Sequence, residues 1–382
     1  MRNVLIVGAG VAGPTLAYWL ARAGFQPTVV ERAQGQRSSG NPVDVRGPAL
    51  PVAEQMGVIP ALREAATTVT AMRLIDSRGR RGRRLPMPAG RSAAGTEEIE
   101  VPRADLATIL YAAARDHAEF VFDDTVTGFS QDPGGVDVVF ERSAPRRFDL
   151  VVGADGLHSA VRRLAFGPEE RFVRHLGVYV ATTPLGEPVD HPGEALMYNT
   201  PGRLISVHPS RDHALLAFIF RGAAIPGFDH RDTALHKRVL LQAYASDRNW
   251  FVPEYLERVR SAADLYFDSV GKVVLPSWTN GRVTLLGDAA ASVSLFGDGS
   301  SMAMAGAQTL ANALRETDGK GDGDPATALK RYEAEQRRRT DPKGRHARFA
   351  AAMIVPGTRP GIAVRNAAAR LAIRGEKQPA LR

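Results

Sequence analysis

Asn3-Val4-Leu5-Ile6-Val7-Gly8-Ala9-Gly10-Val11-Ala12-Gly13-Pro14 opens the chain, and its reading decides the fold. The first five residues are a short, apolar, β-branched run, which predicts a buried strand. Gly8, Gly10 and Gly13 follow at once in the spacing G-x-G-x-x-G. Pro14 suits the first turn of a helix, where its missing N–H costs little. Leu16, Ala17, Leu20 and Ala21 recur at helical spacing, and Gly24 fits the helix end. Thr28-Val29-Val30 predicts a second strand, closed by Glu31.

Each part of this unit has a physical job. Gly8 permits the tight turn, Gly10 lets backbone approach a pyrophosphate, and Gly13 lets helix and strand pack closely. The helix N-terminus offers unpaired N–H groups and the positive end of its dipole to phosphates. Glu31 lies eighteen residues beyond Gly13, where an acid can accept hydrogen bonds from a ribose. An adenosine dinucleotide is the ligand class this pattern predicts. The motif alone does not choose between FAD and NAD.

Composition sets the outer bounds. The 382 residues suffice for one large or two medium domains with a real core. No apolar run is long enough to cross a bilayer, and the first residues are not a signal sequence. With no cysteine, disulfides, thiolate metal sites, iron–sulfur clusters and Cys nucleophiles are excluded, and a cytoplasmic protein is the simplest reading. The net charge of +8 is uneven: residues 336–382 hold twelve Lys/Arg and two Asp/Glu, so the remainder is about −2. The basic character belongs to a tail and not to a nucleic-acid-binding domain. It reads as a solvated face on C-terminal helices, or as an attractor of phosphate-bearing ligands or an acidic partner.

Beyond Arg32, a Gly/Ser/Arg-rich loop holds Arg37, Asp44 and Arg46, and a helix follows through Leu50, Val52, Ala53 and Met56. Residues 72–75 predict a strand and 78–84 an exposed, basic hairpin tip. Residues 98–101 alternate like a strand before Pro102-Arg103, and Leu106, Ile109, Leu110 and Ala113 share a helix face. Residues 120–122 and 136–140 predict strands flanking a Gly-Pro turn. Leu150-Val151-Val152 is a buried strand that ends in Gly153-Ala154-Asp155-Gly156, with a basic helix from Ser159. From Phe172 to Tyr266 short strands predominate, with one helix at Thr233 to Tyr244, which reads as an antiparallel sheet inserted into an α/β domain. A last buried strand, Arg282 to Leu286, meets Gly287-Asp288. A Gly-rich loop to Gly299 and an Ala-rich helix from Ser300 follow. The C-terminal helices should break at Pro342, Pro356 and Pro360. Ile362, Val364 and Leu371, interleaved with Arg365 and Arg370, suggest a helix face that covers the inserted sheet.

Three of these stretches together resemble the FAD-dependent aromatic hydroxylases, the p-hydroxybenzoate hydroxylase-like flavoprotein monooxygenases. They are Gly8 to Glu31, Asp149 to Gly156 with Ser159 and Arg162, and Gly287-Asp288-Ala289-Ala290. Arg103, in Val101-Pro102-Arg103-Ala104-Asp105-Leu106, stands where that family has an FAD-contacting arginine. Compact length and residues 356–366 look most like the tetracycline-modifying monooxygenases and actinobacterial tailoring enzymes. Two departures bear on the flavin ring: Ala291 replaces a frequent His, and Ser294 and Leu295 occupy the place of one or two prolines.

The resemblance implies an α/β fold: a Rossmann-like FAD-binding domain with an inserted antiparallel-sheet substrate domain and C-terminal helices. It assigns residues 1–75, 101–171 and 272–345 to the cofactor domain, 76–100 and 172–271 to the substrate domain, and 346–382 to a helical tail. Non-covalent FAD would meet Gly8, Gly10, Ala12, Gly13, Glu31, Arg32, Arg46, Arg103, Asp155, Gly287, Asp288, Gly299 and Ser300. Asp44 would touch flavin or substrate. NADPH or NADH would reduce the flavin, O₂ would form a C4a-hydroperoxide, and an electron-rich aromatic or polycyclic molecule would be hydroxylated, as in natural-product tailoring or antibiotic modification. The flavin carries the chemistry, so no catalytic side chain is assigned. Met197, Phe218, Phe220 and Leu295 are the candidate substrate contacts, Phe218 and Phe220 because they share a strand face. The partners expected are the small-molecule substrate and O₂, with no nucleic acid and no membrane span, in a monomer or homodimer. The alternatives are an FAD-dependent reductase of isoprenoid-like chains and a non-enzymatic flavin-binding protein. No G-x-S-x-G supports a serine hydrolase and no H-E-x-x-H a zinc one.

Overall fold

The computed structural model describes residues 3–35, 42–86, 97–187, 189–209, 214–292, 298–318 and 325–375. Its first layer is a six-stranded sheet in the order Thr279–Asn280, Val283–Leu285, Leu150–Gly153, Asn3–Val7, Gln26–Glu31 and Glu119–Phe122. All pairings are parallel except the short hairpin of Thr279–Asn280 with Val283–Leu285. Val4, Leu5, Ile6, Val151 and Val152 are fully buried, as a parallel sheet covered on both faces requires. The helices Ala12–Arg22 and Asp298–Asp318 pack together on it. Chain order reverses at Asn3–Val7, whose neighbours are the second and the eleventh strands of the chain. Such a switch point leaves a crevice at the C-terminal strand ends.

The second layer is a seven-stranded sheet ordered Tyr266–Val273, Val173–Pro184, Leu215–Arg221, Arg203–His208, Glu194–Thr200, Ala71–Ile75 and Arg81–Pro86. It is antiparallel but for one parallel pair, Glu194–Thr200 with Ala71–Ile75. That pairing corrects the expected boundary after residue 75: the 71–75 strand belongs to the second sheet. The supposed hairpin tip at 78–84 shrinks to the turn around Asp76, whose carboxylate accepts the Arg78 and Arg80 N–H groups, because Arg81–Pro86 is a strand. Two helices cover one face, the anticipated Thr233–Tyr244 and an unanticipated Val252–Ser261. Tyr179, Phe218, Phe220, Phe267, Leu240, Tyr244 and Leu256 form the core between.

Other differences have local causes. Residues 120–122 and 136–140 do not flank one turn. The hairpin partner of Gly135–Phe140 is Val126–Asp132, while Glu119–Phe122 is the edge of the parallel sheet. The helix Pro325–Ile354 runs through Pro342 without stopping. It survives the lost N–H because it is fastened on the N-terminal side: Tyr332 donates to Leu285 O, and buried Gln336 donates to Met302 O at 2.8 Å. The last helix, Arg359–Gly375, docks on the second sheet through Arg365, which donates to Asn199 Oδ1 and Ile354 O. Of the apolar residues expected to cover the sheet, Ile362 is half-buried and Val364 is 67% exposed.

A charged knot ties the two layers. His158, just past the strand Leu150–Gly153, sits 2.9 Å from Glu169 Oε1 and 3.0 Å from Asp268 Oδ1 on the strand Tyr266–Val273. Both ring nitrogens donate when the ring is charged, and the two carboxylates, acting against burial, hold its pKa up at about 9. The His230 ring stacks on it at 4.1 Å; burial and the His158 charge push His230 down to about 4. A histidine whose pKa is raised on folding stabilises fully below its unfolded value near 6.5 and loses that contribution as pH climbs through 9. His158→Gln should therefore cost about 2–3 kcal/mol at pH 6 and little at pH 9.5. Urea unfolding of both proteins at the two pH values measures this. A gap that does not change with pH would show that the charge does not hold the knot.

Candidate functional site

Three loops converge because three strands stand side by side in register. Val7 pairs with Gly153, and Gly153 with Leu285. Ala154 N donates to Val7 O and Leu286 N to Gly153 O, so the chain leaves all three strands at one level. The three motifs thus open onto one crevice.

The glycines of the first loop are not equivalent. Gly8 has φ +106°, and a Cβ there would meet Ala154 O at 2.6 Å. A Cβ on Gly13 would lie 1.9 Å from Gly8 O. Packing within the chain itself demands both. Gly10 has no positive φ, and a Cβ there would meet nothing within 4 Å. The space before it is kept open, and the helix Ala12–Arg22 points its start at it. Val11 makes no side-chain cap and the first turn holds no acid, so free N–H groups and positive dipole face that space. Glu31 accepts Ala9 N at 2.8 Å and Ala33 N at 2.9 Å, which fixes its carboxylate beside the loop with lone pairs to spare for a ribose.

The third loop supplies the other end. Gly287, at φ +63°, lies where the Ala12 and Ala303 methyls would be 3.3 and 3.6 Å from a Cβ. It brings Asp288 to the meeting of the helices Ala12–Arg22 and Asp298–Asp318. The Asp288 carboxylate has no hydrogen-bond partner among the described residues, and neither does the Arg103 guanidinium, which has no ion pair there either. Burial pushes the Asp288 carboxyl up, and the nearby Arg103 charge opposes it. An unspent acceptor and an unspent cation face one another across the crevice. Arg46 is spent otherwise: it binds Asp298 at 2.6 Å, with Asp44 at 3.5 Å and Glu98 at 3.4 Å. Ser301 Oγ accepts Arg46 N and donates to Asp44 O. The strand Pro42–Arg46 is thereby clamped to the helix turn carrying Gly299 and Ser300.

A family model described as an FAD binding domain matches residues 1–342. A flavin-dependent monooxygenase of Legionella longbeachae is 32% identical over 340 residues, 87% of this chain and 84% of that protein. The chain belongs to the FAD-dependent aromatic hydroxylases. An uncharacterized protein of Mycobacterium tuberculosis is 40% identical over 325 residues, 82% of this chain and 85% of its own. The crystal structure of the tetracycline destructase Tet(51) superposes with a TM-score of 0.84 at 29% identity, over 99% of this chain and 97% of that one. As a member of this family the protein is an FAD-dependent monooxygenase, with the mixed α/β fold expected of it. Among the described residues no helix is long and apolar enough to cross a membrane.

The flavoenzyme frame sorts the remaining candidates. Asp155 serves the fold: it accepts Ser159 Oγ at 2.5 Å, Ala160 N at 2.7 Å and Val161 N at 3.2 Å, capping the helix Ala160–Phe166. Arg32 is exposed, with its charge felt by His230. Phe218 and Phe220 are corrections. Both are buried in the core under Tyr244, with Phe218 5.3 Å from its ring, so they do not line the crevice. Their shared face is the helix-covered one. The other face, which carries Thr182, Ala217, Ser206 and Met197 in one cross-strand row, looks toward the cofactor layer. Tyr266, opposite Thr182 in the same row, lies near Arg103 and Asp288, and burial pushes its phenol pKa up. Met197 is therefore on the useful face; Leu295, Ser294 and Arg37 lie outside the described residues. Tyr266 and Ser206 were missed by the sequence reading, although strict alternation against core residues 205 and 207 marks Ser206.

The glycine geometry separates binding from folding. Gly10→Asp should give a folded protein with no flavin absorbance, because a carboxylate fills the open space. Gly13→Val should fail to accumulate as folded protein at all, since its side chain collides with Gly8 O. Comparable melting of Gly10→Asp and deflavinated parent checks the first. A yellow Gly10→Asp protein would show that the phosphates lie elsewhere.

Proposed function

We propose that this monooxygenase uses NADPH or NADH and O₂ to hydroxylate an electron-rich, polycyclic aromatic molecule. The observation that carries the reading is the crevice itself. Phosphate-ready backbone at Gly10 and the unspent Asp288 and Arg103 lie where three strands end at one level, and Tyr266 brings the second sheet beside them. The resemblance to a tetracycline destructase along almost the whole chain favours a fused-ring substrate.

The residues present fit FAD. Gly10 and the start of the helix Ala12–Arg22 would hold the pyrophosphate, Glu31 the adenosine ribose, and Asp288 with Arg103 the ribityl chain. When bound, FAD supplies the redox chemistry: it takes two electrons from the nicotinamide and delivers one atom of O₂ to the substrate. The protein's part is placement and exclusion of water. Gly299 and Ser300 put the positive start of the helix Asp298–Asp318 where it would stabilise negative charge on the ring system. Arg46, Asp298 and Ser301 hold that helix start to the strand Pro42–Arg46. The second sheet closes the space opposite, fastened by His158 and Asp268. We assign the second sheet as the substrate unit and the six-stranded sheet as the cofactor unit.

Oxygen labelling tests the reading. With ¹⁸O₂, NADPH and tetracycline or a hydroxyanthraquinone, the product should carry one labelled atom, and the ring compound should speed NADPH oxidation. Product formed equally well without oxygen, or carrying oxygen only from water, would replace it with a reductase or hydrolytic activity.

A further inference from the structure

The last helix, Arg359–Gly375, is turned inside out. A helix on a globular surface sets its apolar stripe toward the core and its polar side toward water. Here Arg365 and Asn366 are the half-buried pair. Arg365 donates to Asn199 Oδ1, to Ile354 O and to Asn366 Oδ1. Pro360, Ala363, Val364, Ala367 and Ala368 are exposed, Val364 to 67%. Their spacing puts these five on one helix face, and none is polar. Phe349 stands five residues before the end of the preceding helix, Pro325–Ile354, and is 69% exposed. Phe349 and Val364 are the two most exposed large apolar side chains among the described residues.

The surroundings are basic. Residues 73–84 hold six arginines and one aspartate, a net +5, beside the +10 of residues 336–382 in a chain of +8 overall; the remainder is acidic. Register brings the two basic stretches together. Tyr198 pairs with Ile75, which opens the turn around Asp76, and the next residue, Asn199, is the anchor of Arg365. The last helix also packs on the strand Arg81–Pro86. Part of the charge is matched: Arg73 and Arg84 share Glu194, Arg81 lies near Asp190, and Arg337 and Arg339 pair with Glu333 and Glu335. Arg78, Arg80, Arg81, Arg338 and Arg359 are exposed.

The chemistry of this corner chooses its occupant. A second copy, meeting the patch with its own patch, would set basic surface against basic surface. A nucleic acid would take the cations and leave the apolar face in water. An anionic lipid surface takes both: its phosphates attract the arginines, and the apolar side chains enter the boundary between headgroups and acyl chains. We infer that the outward face of the helix Arg359–Gly375, with Phe349 and the exposed arginines beside it, docks the enzyme on an anionic phospholipid membrane. The enzyme lies on that surface, since among the described residues no helix is long and apolar enough to cross it. The inference goes beyond the proposed reaction and does not depend on which molecule is hydroxylated.

The experiment is flotation of the full-length, FAD-loaded enzyme with vesicles at about 0.1 M salt, where charges still act over about 10 Å. The vesicles are phosphatidylcholine alone, or an equimolar mixture of phosphatidylcholine and phosphatidylglycerol. Binding to the mixed vesicles should be at least tenfold tighter than to phosphatidylcholine, and should loosen as salt rises. Phe349→Ser with Val364→Ser removes apolar surface and leaves the charge unchanged; it should weaken binding to the mixed vesicles about tenfold. Arg78→Glu with Arg359→Glu should weaken it at least as much. FAD content should equal that of wild type in both. Should the double serine variant lose FAD, Val364→Ser alone replaces it, with a smaller loss expected. Equal binding to the two kinds of vesicle overturns the inference. So does vesicle binding that the arginine variant abolishes and the serine variant leaves intact, together with tighter binding to a DNA duplex, which marks a general polyanion surface. A wild-type dimer that the serine variant splits into monomers also overturns it, because a second copy is then the occupant.

Discussion

The structure depends on one close approach, that of the helix Ala12–Arg22 to the turn behind the strand Asn3–Val7. Gly8 O occupies the position a Gly13 side chain would need, 1.9 Å from its Cβ. Because Gly13 has no side chain, the helix starts within reach of the strand end and its free N–H groups face the crevice. The neighbouring strands then fall into place by register, and their own exits, Ala154 and Leu286, bond back to Val7 and Gly153. A bulkier residue at position 13 would move the helix start, and with it the wall against which Gly287 and the helix Asp298–Asp318 pack. The anion site and the packing of the layer are one constraint seen from two sides.

The second sheet works by a different rule, the two-residue alternation of strands. Tyr179, Phe218, Phe220 and Phe267 give one face to the helices Thr233–Tyr244 and Val252–Ser261. The other face keeps small or polar side chains, Ala217, Ser206 and Thr182, all nearly inaccessible to solvent though polar or small. Bulk on one side holds the sheet together, while on the other Val178 and Val270 pack with Ala351 of the helix Pro325–Ile354. His158 with Asp268 fastens this sheet to the cofactor layer, and Arg365 with Asn199 fastens the last helix to it.

The parallel layer was legible in the sequence because its signals are local and steric. A fully apolar strand, a turn that needs glycine and a helix start are adjacent in the chain. The resemblance then ordered three such turns, and the strands Leu150–Gly153 and Val283–Leu285 appeared where expected. What escaped was the pairing of distant segments. Nothing within residues 71–75 says that they join the second sheet, because the parallel partner is Glu194–Thr200, over a hundred residues on. Phe218 and Phe220 were read correctly as sharing a face, but sequence alone does not say which face a helix covers. Their size argued for the core, and the same alternation puts Ala217 and Ser206 on the opposite face. Pro342 misled for the opposite reason: a local rule was overridden by the tertiary bonds of Tyr332 and Gln336.

Around Arg46 the chain tolerates an unfavourable arrangement. Asp44 and Glu100 are direct cross-strand partners in the hairpin of Pro42–Arg46 with Glu98–Pro102, and Glu98 stands opposite Arg46. Burial, with help from the neighbouring acids, raises Asp44 to about 6 against the pull of Arg46, and raises Glu100 to about 7. Acids raised on folding carry no penalty below their unfolded pKa. The penalty grows as pH rises from the unfolded to the folded value and levels off above it, at about 2–3 kcal/mol apiece. Near neutral pH the hairpin therefore works against itself. A surface hairpin without a task would have lost such a pair to polar or apolar substitutes at little cost. Here Arg46 needs carboxylates on both sides to stay fixed against Asp298, and Asp298 begins the helix whose positive end faces the cofactor space. The strain in the hairpin is what positions that helix, so local stability is given up where the site needs order.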